Sequence, residues 1–215
     1  MIKAIIFDLD DTIYPEIEYV KSGFKAIGKA FKDESLAEKL FTLFLENPVD
    51  VYQRAGFSES ECQKCIEIYR KHIPDLVLRE DYAKVFEKLR KDGIKLGIIT
   101  DGRPEGQWNK IRALKLEDYM DEIIVTDELG GIEYRKPNPK AYQIMKEKLG
   151  VKYNEMMYIG DNPKKDFYIS SYHSILTVRV TKYFTHKEFS YKDNIKENFR
   201  VYDILKLPYL LEEIK

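Results

Sequence analysis

A short uncharged run, Ala4–Phe7, leads directly into the acidic stretch Asp8-Leu9-Asp10-Asp11-Thr12. An apolar run of this length without polar alternation is typical of a strand that helices bury on both faces. Side chains two positions apart on a strand share a face, so Asp8 and Asp10 are expected to converge while Leu9 turns into the core. Two carboxylates that close together require a cation or a shared proton. A polar turn that simply leaves the strand is the alternative explanation.

Further apolar runs alternate with segments of helical periodicity along the chain. Strands are predicted over 94–100, 122–126, 156–160 and 175–180, and a last short strand is predicted to begin at Val201. Helices are predicted over 81–91, after Pro104, before Gly150 and over 203–214. This alternation predicts an α/β fold with a doubly wound, Rossmann-like parallel sheet, because parallel neighbours need crossover connections.

The segment from Pro15 to about Glu80 has no strand pattern, and its apolar residues recur at helical spacing. Ser58 and Glu61 form a capping box that starts one of its helices. We therefore predict an all-helical cap domain over 15–80, inserted into a core domain made of 1–14 and 81–215. Three tyrosines of the insertion are candidates for a pocket lining, although an aromatic on a helix face usually belongs to the core: Tyr19, Tyr52 and Tyr69.

The composition narrows the class of protein. With 215 residues, 44% hydrophobic and 34% charged, the chain is globular and long enough to bury a full core. Its 36 basic and 37 acidic residues give a net charge of -1, which argues against nucleic acid or an acidic membrane as a partner. No run approaches the ~18 apolar residues of a membrane span, and the first is too short for a signal peptide. We expect a cytoplasmic protein, and nothing indicates its oligomeric state.

The two cysteines, Cys62 and Cys65, form a C-x-x-C pattern that could suggest redox or zinc chemistry. Together with Ile66 and Tyr69 they fall on one helix face, and cysteine is common in protein cores, so a core role is the better interpretation. A zinc site would need further ligands, and the histidines are scattered: His72, His173 and His186. The stretch Thr185-His186-Lys187-Glu188 resembles a capping box rather than a ligand group.

Polar residues also follow the later strands at their carboxyl ends, where open α/β sheets bind ligands. Thr100-Asp101-Gly102 ends the second strand, and a hydroxyl with backbone N–H groups at such a turn can hold phosphate. Lys136 precedes Pro137 on a proline-stiffened loop, where it could act as a fixed point charge. Asp161 and Asp166 follow the fourth strand. Taken singly, an ordinary turn and a surface lysine explain these residues equally well.

These four groups, in this order, resemble the four motifs of the haloacid dehalogenase-like hydrolases. Asp8–Thr12 is similar to the first motif, and Thr100, at the end of an apolar strand, is similar to the second. Lys136 before Pro137 is similar to the third motif, and Gly160–Asp166 is similar to the fourth. The helical insertion resembles the helical C1 cap of subfamily I. The resemblance covers essentially the whole chain.

The resemblance implies phosphoryl transfer through an aspartyl-phosphate with Mg²⁺ as the cofactor. Asp8 would be the nucleophile, and Asp10 would protonate the leaving oxygen and then activate the water that clears the intermediate. Thr100 would hydrogen-bond the phosphoryl oxygens, and Lys136 would neutralise charge on Asp8 and the phosphoryl group.

The resemblance also implies a metal site and a phosphate site. Mg²⁺ would be held by the Asp8 carboxylate, the Asp10 backbone carbonyl and Asp161, with Asp166 binding directly or through water. The phosphate-binding residues would be Thr100, Asp101, Gly102 and Lys136.

The second acid narrows the chemistry that the resemblance implies. Dehalogenase and phosphonatase members of the family lack it, so Asp10 points to a phosphatase or a phosphomutase. One stretch, Phe167–Ser174, departs from the small residues usual after the fourth motif, and the packing beside Asp166 is expected to differ. We expect a Mg²⁺-dependent phosphatase, a phosphoric monoester hydrolase, acting on a small phosphorylated metabolite. A phosphomutase on a sugar phosphate and a non-catalytic phosphate-binding protein of the same fold are the alternatives.

Overall fold

The computed structural model describes residues 1–183 and 190–214, and the strands within them form one six-stranded sheet. The strands are β1 Ala4–Phe7, β2 Lys95–Thr100, β3 Glu122–Val125, β4 Met156–Gly160, β5 Leu176–Val180 and β6 Phe199–Val201. Every pairing is parallel, and the order across the sheet is β3-β2-β1-β4-β5-β6. The strand order reverses between β1 and β4, where a doubly wound sheet opens a ligand crevice. The predicted α/β class and parallel sheet are confirmed.

Helices cover both faces of this sheet. Within the same residues they are α1 Glu16–Phe31, α2 Glu34–Glu46, α3 Val51–Arg54, α4 Glu59–Lys71, α5 Glu80–Lys91, α6 Pro104–Ala113, α7 Lys140–Leu149 and α8 Leu207–Glu213. Ile5 and Phe7 of β1 pack in an apolar cluster with α5 and α8, whereas Ala4 and Ile6 pack in another with α7. Burial on both faces explains the unbroken apolar run of β1. None of these helices has the length and apolarity to cross a membrane.

A third apolar cluster is built from α1 to α4, the helices that lie between β1 and α5. The predicted capping box starts α4, where the Ser58 N–H donates to Glu61 Oε2 at 2.8 Å. Cys62 and Cys65 are buried free thiols on the same helix, as the helical spacing predicted. These helices correspond to the predicted insertion, whose limits as a domain stay a prediction.

The crossover from β4 to β5 differs from the crossovers that precede it, because it contains a 3₁₀ turn, Tyr168–Ser171, in place of an α-helix. The Ser170 hydroxyl donates to the Phe167 carbonyl at 2.8 Å, and the Ser171 hydroxyl donates to the Tyr168 carbonyl at 2.7 Å. Bonds of this kind compete with helix propagation. The stretch that departs from the family pattern thus contains a 3₁₀ turn and no α-helix.

Four predicted strand limits were wrong. β2 and β5 each begin one residue later than predicted, at Lys95 and Leu176. The last strand ends at Val201 rather than beginning there, and Asp203 caps a 3₁₀ turn that runs into α8. Thr126 belongs to a 3₁₀ turn after β3, where its hydroxyl bonds a side chain and not the strand ladder. The predicted capping box at 185–188 lies outside the described residues.

Candidate active site

Asp8 follows β1 directly, and its backbone holds it at the carboxyl edge of the sheet. Its N–H donates to the Ile159 carbonyl at 2.8 Å, which extends the β1–β4 pairing by one residue. The residue is 2% exposed, and its Oδ1 accepts from the Leu9 N–H at 2.8 Å. Burial raises the pKa of Asp8 to about 6, against the lowering effects of Lys136 and Lys165. The carboxylate is thus fixed in place but is costly to keep charged.

Lys136 is the main counter-charge of this carboxylate. Its side chain has no exposed surface, and its Nζ lies 2.7 Å from Asp8 Oδ1 and 3.0 Å from Asp166 Oδ1. It also donates to the Tyr158 hydroxyl at 2.7 Å. Burial alone would lower the pKa of Lys136, but the two carboxylates outweigh burial and raise it, so the ammonium stays charged. The loop is held further by the Lys136 N–H, which donates to Asp101 Oδ1 at 3.0 Å.

Three buried carboxylates meet at this edge of the sheet. Oxygen atoms of Asp8, Asp161 and Asp166 all lie within 4.8 Å of one another. Burial first, and then the charges of Asp166 and Asp8, raise the pKa of Asp161 well above its usual range. Carboxylate oxygens that lie close together repel one another, and such a set of oxygen ligands is what a hard divalent cation such as Mg²⁺ prefers. The residues present therefore fit the metal that the family resemblance implies.

Asp166 keeps its place in this cluster despite the altered sequence that follows it. It is fully buried, and its Oδ2 accepts from the Asn162 N–H at 2.8 Å. A side chain at Gly160 would put its Cβ 2.5 Å from Asp166 Oδ2, so the strand end needs glycine for this close approach. The 3₁₀ turn Tyr168–Ser171 begins beyond these contacts.

Asp10 lies apart from the three carboxylates, with 21% of its side chain exposed. Lys110 Nζ lies 2.8 and 3.0 Å from its two oxygens, Gln107 Nε2 donates at 3.1 Å, and the Tyr14 hydroxyl also donates to it. Burial would raise the pKa of Asp10, but Lys110 and these donors outweigh burial and lower it. The side chain is therefore held as an anion, and it is not part of the cluster that Asp8, Asp161 and Asp166 form.

The turn after β2 has a fully buried hydroxyl, that of Thr100. This hydroxyl accepts from Gln107 Nε2 and keeps its own proton for another acceptor. Gly102 has φ +143° and lies against the Gln107 side chain, a position that favours glycine. The Asp101 carboxylate is engaged elsewhere, because Oδ1 accepts from the Thr126 hydroxyl at 2.9 Å. The N–H groups of the turn are thus the part of it suited to an anion.

Lys165, which the sequence analysis did not single out, also reaches the site. Its Nζ lies 3.2 Å from Asp101 Oδ2 and 3.7 Å from Asp8 Oδ2. Lys110, Gln107 and Tyr14 were missed in the same way. The one available signal was the spacing of Gln107 and Lys110, which puts both on one face of the helix that starts after the turn that follows β2.

A cavity of about 590 Å³ adjoins Asp10, between α1 and α4 on one side and the start of α6 on the other. Tyr19 and Tyr69 form one wall with their rings edge to face at 5.4 Å. The third predicted pocket tyrosine, Tyr52, packs on Phe24 inside the helical insertion instead. The remaining lining residues are Arg70, Arg103, Pro104, Glu105, Gly106, Gln107 and Lys110.

The structure thus brings most of the predicted site residues together. Asp8, Lys136, Asp161 and Asp166 form one contiguous group, and Asp101 joins it through the Lys136 backbone. Gln107 links Thr100 to Asp10. The Asp10 carboxylate is not part of the cluster that Asp8, Asp161 and Asp166 form.

Known proteins resemble this chain in sequence and in fold. The family model described as haloacid dehalogenase-like hydrolase matches residues 5–180. A glyceraldehyde 3-phosphate phosphatase of Methanocaldococcus jannaschii is 28% identical over 232 aligned positions, and the alignment covers 100% of this chain and 98% of the relative. A glyceraldehyde 3-phosphate phosphatase of Methanopyrus kandleri is also 28% identical, and that alignment covers 85% of each protein. A solved HAD-superfamily hydrolase of subfamily IA from Geobacter sulfurreducens, 18% identical, superposes with a TM-score of 0.71 over 98% of this chain and 96% of that one, which shows a shared fold. The chain belongs to the haloacid dehalogenase-like hydrolase family, as its strand-end motifs predicted.

Proposed function

We propose that this protein is a Mg²⁺-dependent phosphatase that hydrolyses a small phosphorylated metabolite through an aspartyl-phosphate on Asp8. The observation that carries the proposal is the one-sided engagement of Asp8. Its Oδ1 is held by Lys136 and by the Leu9 N–H, whereas its Oδ2 has no hydrogen bond among the described residues. A carboxylate anchored through one oxygen is preorganised to attack with the other. The family is a hydrolase family, and the names of the curated relatives support a phosphoric monoester hydrolase.

The first chemical step forms a bond between Asp8 Oδ2 and phosphorus and breaks the bond from phosphorus to the ester oxygen. We assign to Asp10 the proton that the leaving oxygen takes up in this step. In the second step water bonds to phosphorus, the bond between phosphorus and Asp8 Oδ2 breaks to release phosphate, and Asp10 takes a proton from the attacking water. Its contacts with Lys110 and Gln107 hold it as the anion that this second role needs. Protonation of a poor leaving group requires the pair with Lys110 to open.

The remaining residues bind and orient. Asp8, Asp161, Asp166 and the Asp10 carbonyl would hold Mg²⁺, which supplies positive charge that neutralises the carboxylates and the phosphoryl oxygens. The Thr100 hydroxyl and the N–H groups of the following turn would bind phosphoryl oxygens.

The cavity beside Asp10 is the place we assign to the organic part of the substrate, because the leaving oxygen must lie next to its proton donor. Arg70 and Arg103 border it, both exposed, and neither side chain has a hydrogen bond or ion pair within 1–183 and 190–214. Glu105 is the one acidic residue among the described residues that line the cavity, so the two guanidinium groups leave an excess of positive charge, which favours an organic part that carries its own negative charge. The volume suits a metabolite of a few carbon atoms.

The test is phosphate release from p-nitrophenyl phosphate and from a panel of phosphorylated metabolites, with and without Mg²⁺. We expect turnover that depends on Mg²⁺ and that the Asp8→Asn variant lacks, although this variant still folds. Absence of release from every ester would favour the non-catalytic phosphate-binding protein. Recovery of an isomeric sugar phosphate instead of free phosphate would identify a phosphomutase.

A further inference from the structure

We propose that Lys165 is a further lysine that binds the transferring phosphoryl group, beside Lys136, whose donors already hold Asp8. This inference rests on the proposed phosphoryl transfer at Asp8. It gives Lys165, to which the family resemblance assigns no role, a direct contact with the substrate.

The first observation is that Lys136 has no hydrogen-bond donor left. A lysine ammonium has three N–H donors. Lys136 has three acceptors within 3.0 Å, namely Asp8 Oδ1, Asp166 Oδ1 and the Tyr158 hydroxyl, and no part of its side chain is exposed. A phosphoryl oxygen could reach it only by displacing one of these acceptors.

The second observation concerns the free oxygen of Asp8. Oδ1 already accepts from two donors, so Oδ2 is the oxygen suited to attack. Lys165 Nζ lies 3.7 Å from Oδ2, too far for a hydrogen bond but close enough to contact a group bonded there. A phosphorus atom about 3–3.5 Å from Oδ2 places its oxygens within reach of this ammonium.

The third observation is that Lys165 has donors to spare. Among the described residues it donates one hydrogen bond, to Asp101 Oδ2 at 3.2 Å, and 26% of its side chain is exposed. Its loop is fixed on both sides, because the N–H groups of Lys165 and Asp166 donate to the Asn162 carbonyl at 3.2 and 3.0 Å. Asp101 therefore anchors a cation that still has two N–H groups for phosphate oxygens.

The experiment compares Lys165→Met with Lys164→Met, a matched loss of one positive charge at an exposed neighbour in the same loop. We expect Lys165→Met to lower kcat/KM for p-nitrophenyl phosphate by roughly 10²-fold, the effect of losing one electrostatic stabiliser, and Lys164→Met to change it little. Calorimetric binding of inorganic phosphate to the metal-free protein supplies a readout that does not depend on turnover. Lys165→Met should weaken it about tenfold, and Lys165→Arg, which keeps the charge, should restore most of the binding.

Wild-type phosphate affinity in Lys165→Met, or equal weakening in Lys164→Met, would overturn the inference. If the wild type turns over no ester, the proposed function fails, yet phosphate binding still decides the role of Lys165. Thermal unfolding of each variant separates a lost contact from a lost fold. If Lys165→Met does not fold, Lys165→Gln is measured in its place, and retained phosphate affinity in that variant refutes the assignment.

Discussion

Lys136 holds together two buried carboxylates, those of Asp8 and Asp166, which would otherwise repel each other. The Lys136 side chain is fully enclosed, and Asp8 and Asp166 are at most 2% exposed. Water therefore solvates none of these three charges. Removing one partner of such a group leaves a buried charge without compensation. Lys136, which compensates the charges of Asp8 and Asp166, therefore also helps to hold the strand ends together.

Replacing Lys136 by Met should accordingly affect stability as well as activity. We expect Lys136→Met to lower the free energy of unfolding by roughly 3 kcal/mol, measured by urea denaturation of the metal-free protein. Lys140→Met, at an exposed position near the start of α7, is the control and should leave the unfolding midpoint unchanged. An unaltered midpoint for Lys136→Met would show that the carboxylates find other compensation.

Glu16, the first residue of α1, has its pKa raised to about 7, first by the negative charge of Asp10 and then by burial. A carboxyl group with a raised folded-state pKa binds its proton more tightly in the folded protein. The stability gained from that proton is present below the unfolded pKa and is lost as the pH rises through about 7.

Glu16→Gln, which stays neutral, should therefore stabilise the metal-free protein above neutrality. We expect a gain of about 1–3 kcal/mol near pH 8.5 and almost none near pH 4, which lies below the unfolded pKa, from the size of the pKa difference. Thermal unfolding at both pH values checks this, with the exposed Glu18→Gln as a control for the loss of an acid in the first turn. An equal gain at both pH values would contradict the assigned cause.

At the scale of elements, α6 does more than cover the sheet. It starts directly after the turn at Thr100 and places Gln107 and Lys110 one helical turn apart, so that both reach Asp10. Lys110 also lies over the Tyr19 ring, 4.3 Å from its centroid, and so connects α6 with α1. One helix face thereby links the turn after β2, the proposed acid–base residue and the helical insertion.

The role of Asp10 can be separated from mere placement by the choice of leaving group. With Asp10→Asn we expect kcat/KM for an alkyl phosphate to fall by about 10²–10⁴-fold, the usual contribution of general acid–base catalysis, and far less for p-nitrophenyl phosphate. Because clearing the aspartyl-phosphate still needs a base, rapid mixing should show a burst of about one nitrophenolate per active site. Equal slowing of both esters without a burst would mean that Asp10 only positions other groups.

At the scale of the whole molecule, the site is a product of two layers. The sheet presents Asp8, Asp161 and Asp166 at its carboxyl edge, and α1 and α4 of the helical insertion line the cavity beside Asp10. The cavity between them takes Arg70 from α4 and Arg103 from the turn before α6. Substrate choice should therefore depend on residues that come from opposite sides of the cavity.

A matched pair of substrates tests this arrangement. Arg70→Met should lower kcat/KM for 3-phosphoglycerate by about tenfold, as expected for one lost ionic contact, and should change that for glycerol 3-phosphate much less. Lys71→Met is the control, since Lys71 pairs with Glu67 at 2.7 Å on the same helix. The same loss with both substrates would show that Arg70 does not recognise a charge on the organic part.

Local sequence determined the elements and most of the reacting groups. The apolar run of β1, the capping box at Ser58 and the acids after β1 and β4 depend on neighbours in the chain, and each was found where its pattern predicted. The convergence of Asp8, Lys136 and Asp161 also followed from sequence, because the carboxyl ends of neighbouring parallel strands must meet at one edge.

Tertiary structure alone decided how these groups are paired. Lys136 and Lys165 are both lysines in loops, and their neighbours in the sequence do not distinguish them. In the structure three acceptors enclose Lys136, whereas Lys165 keeps free donors. Likewise, Lys110 lies on the buried face of α6 because Asp10, a hundred positions earlier, supplies the compensating charge. The direction of a long side chain is set by the charges and cavities that distant segments bring to it, and these exist only once the chain has folded.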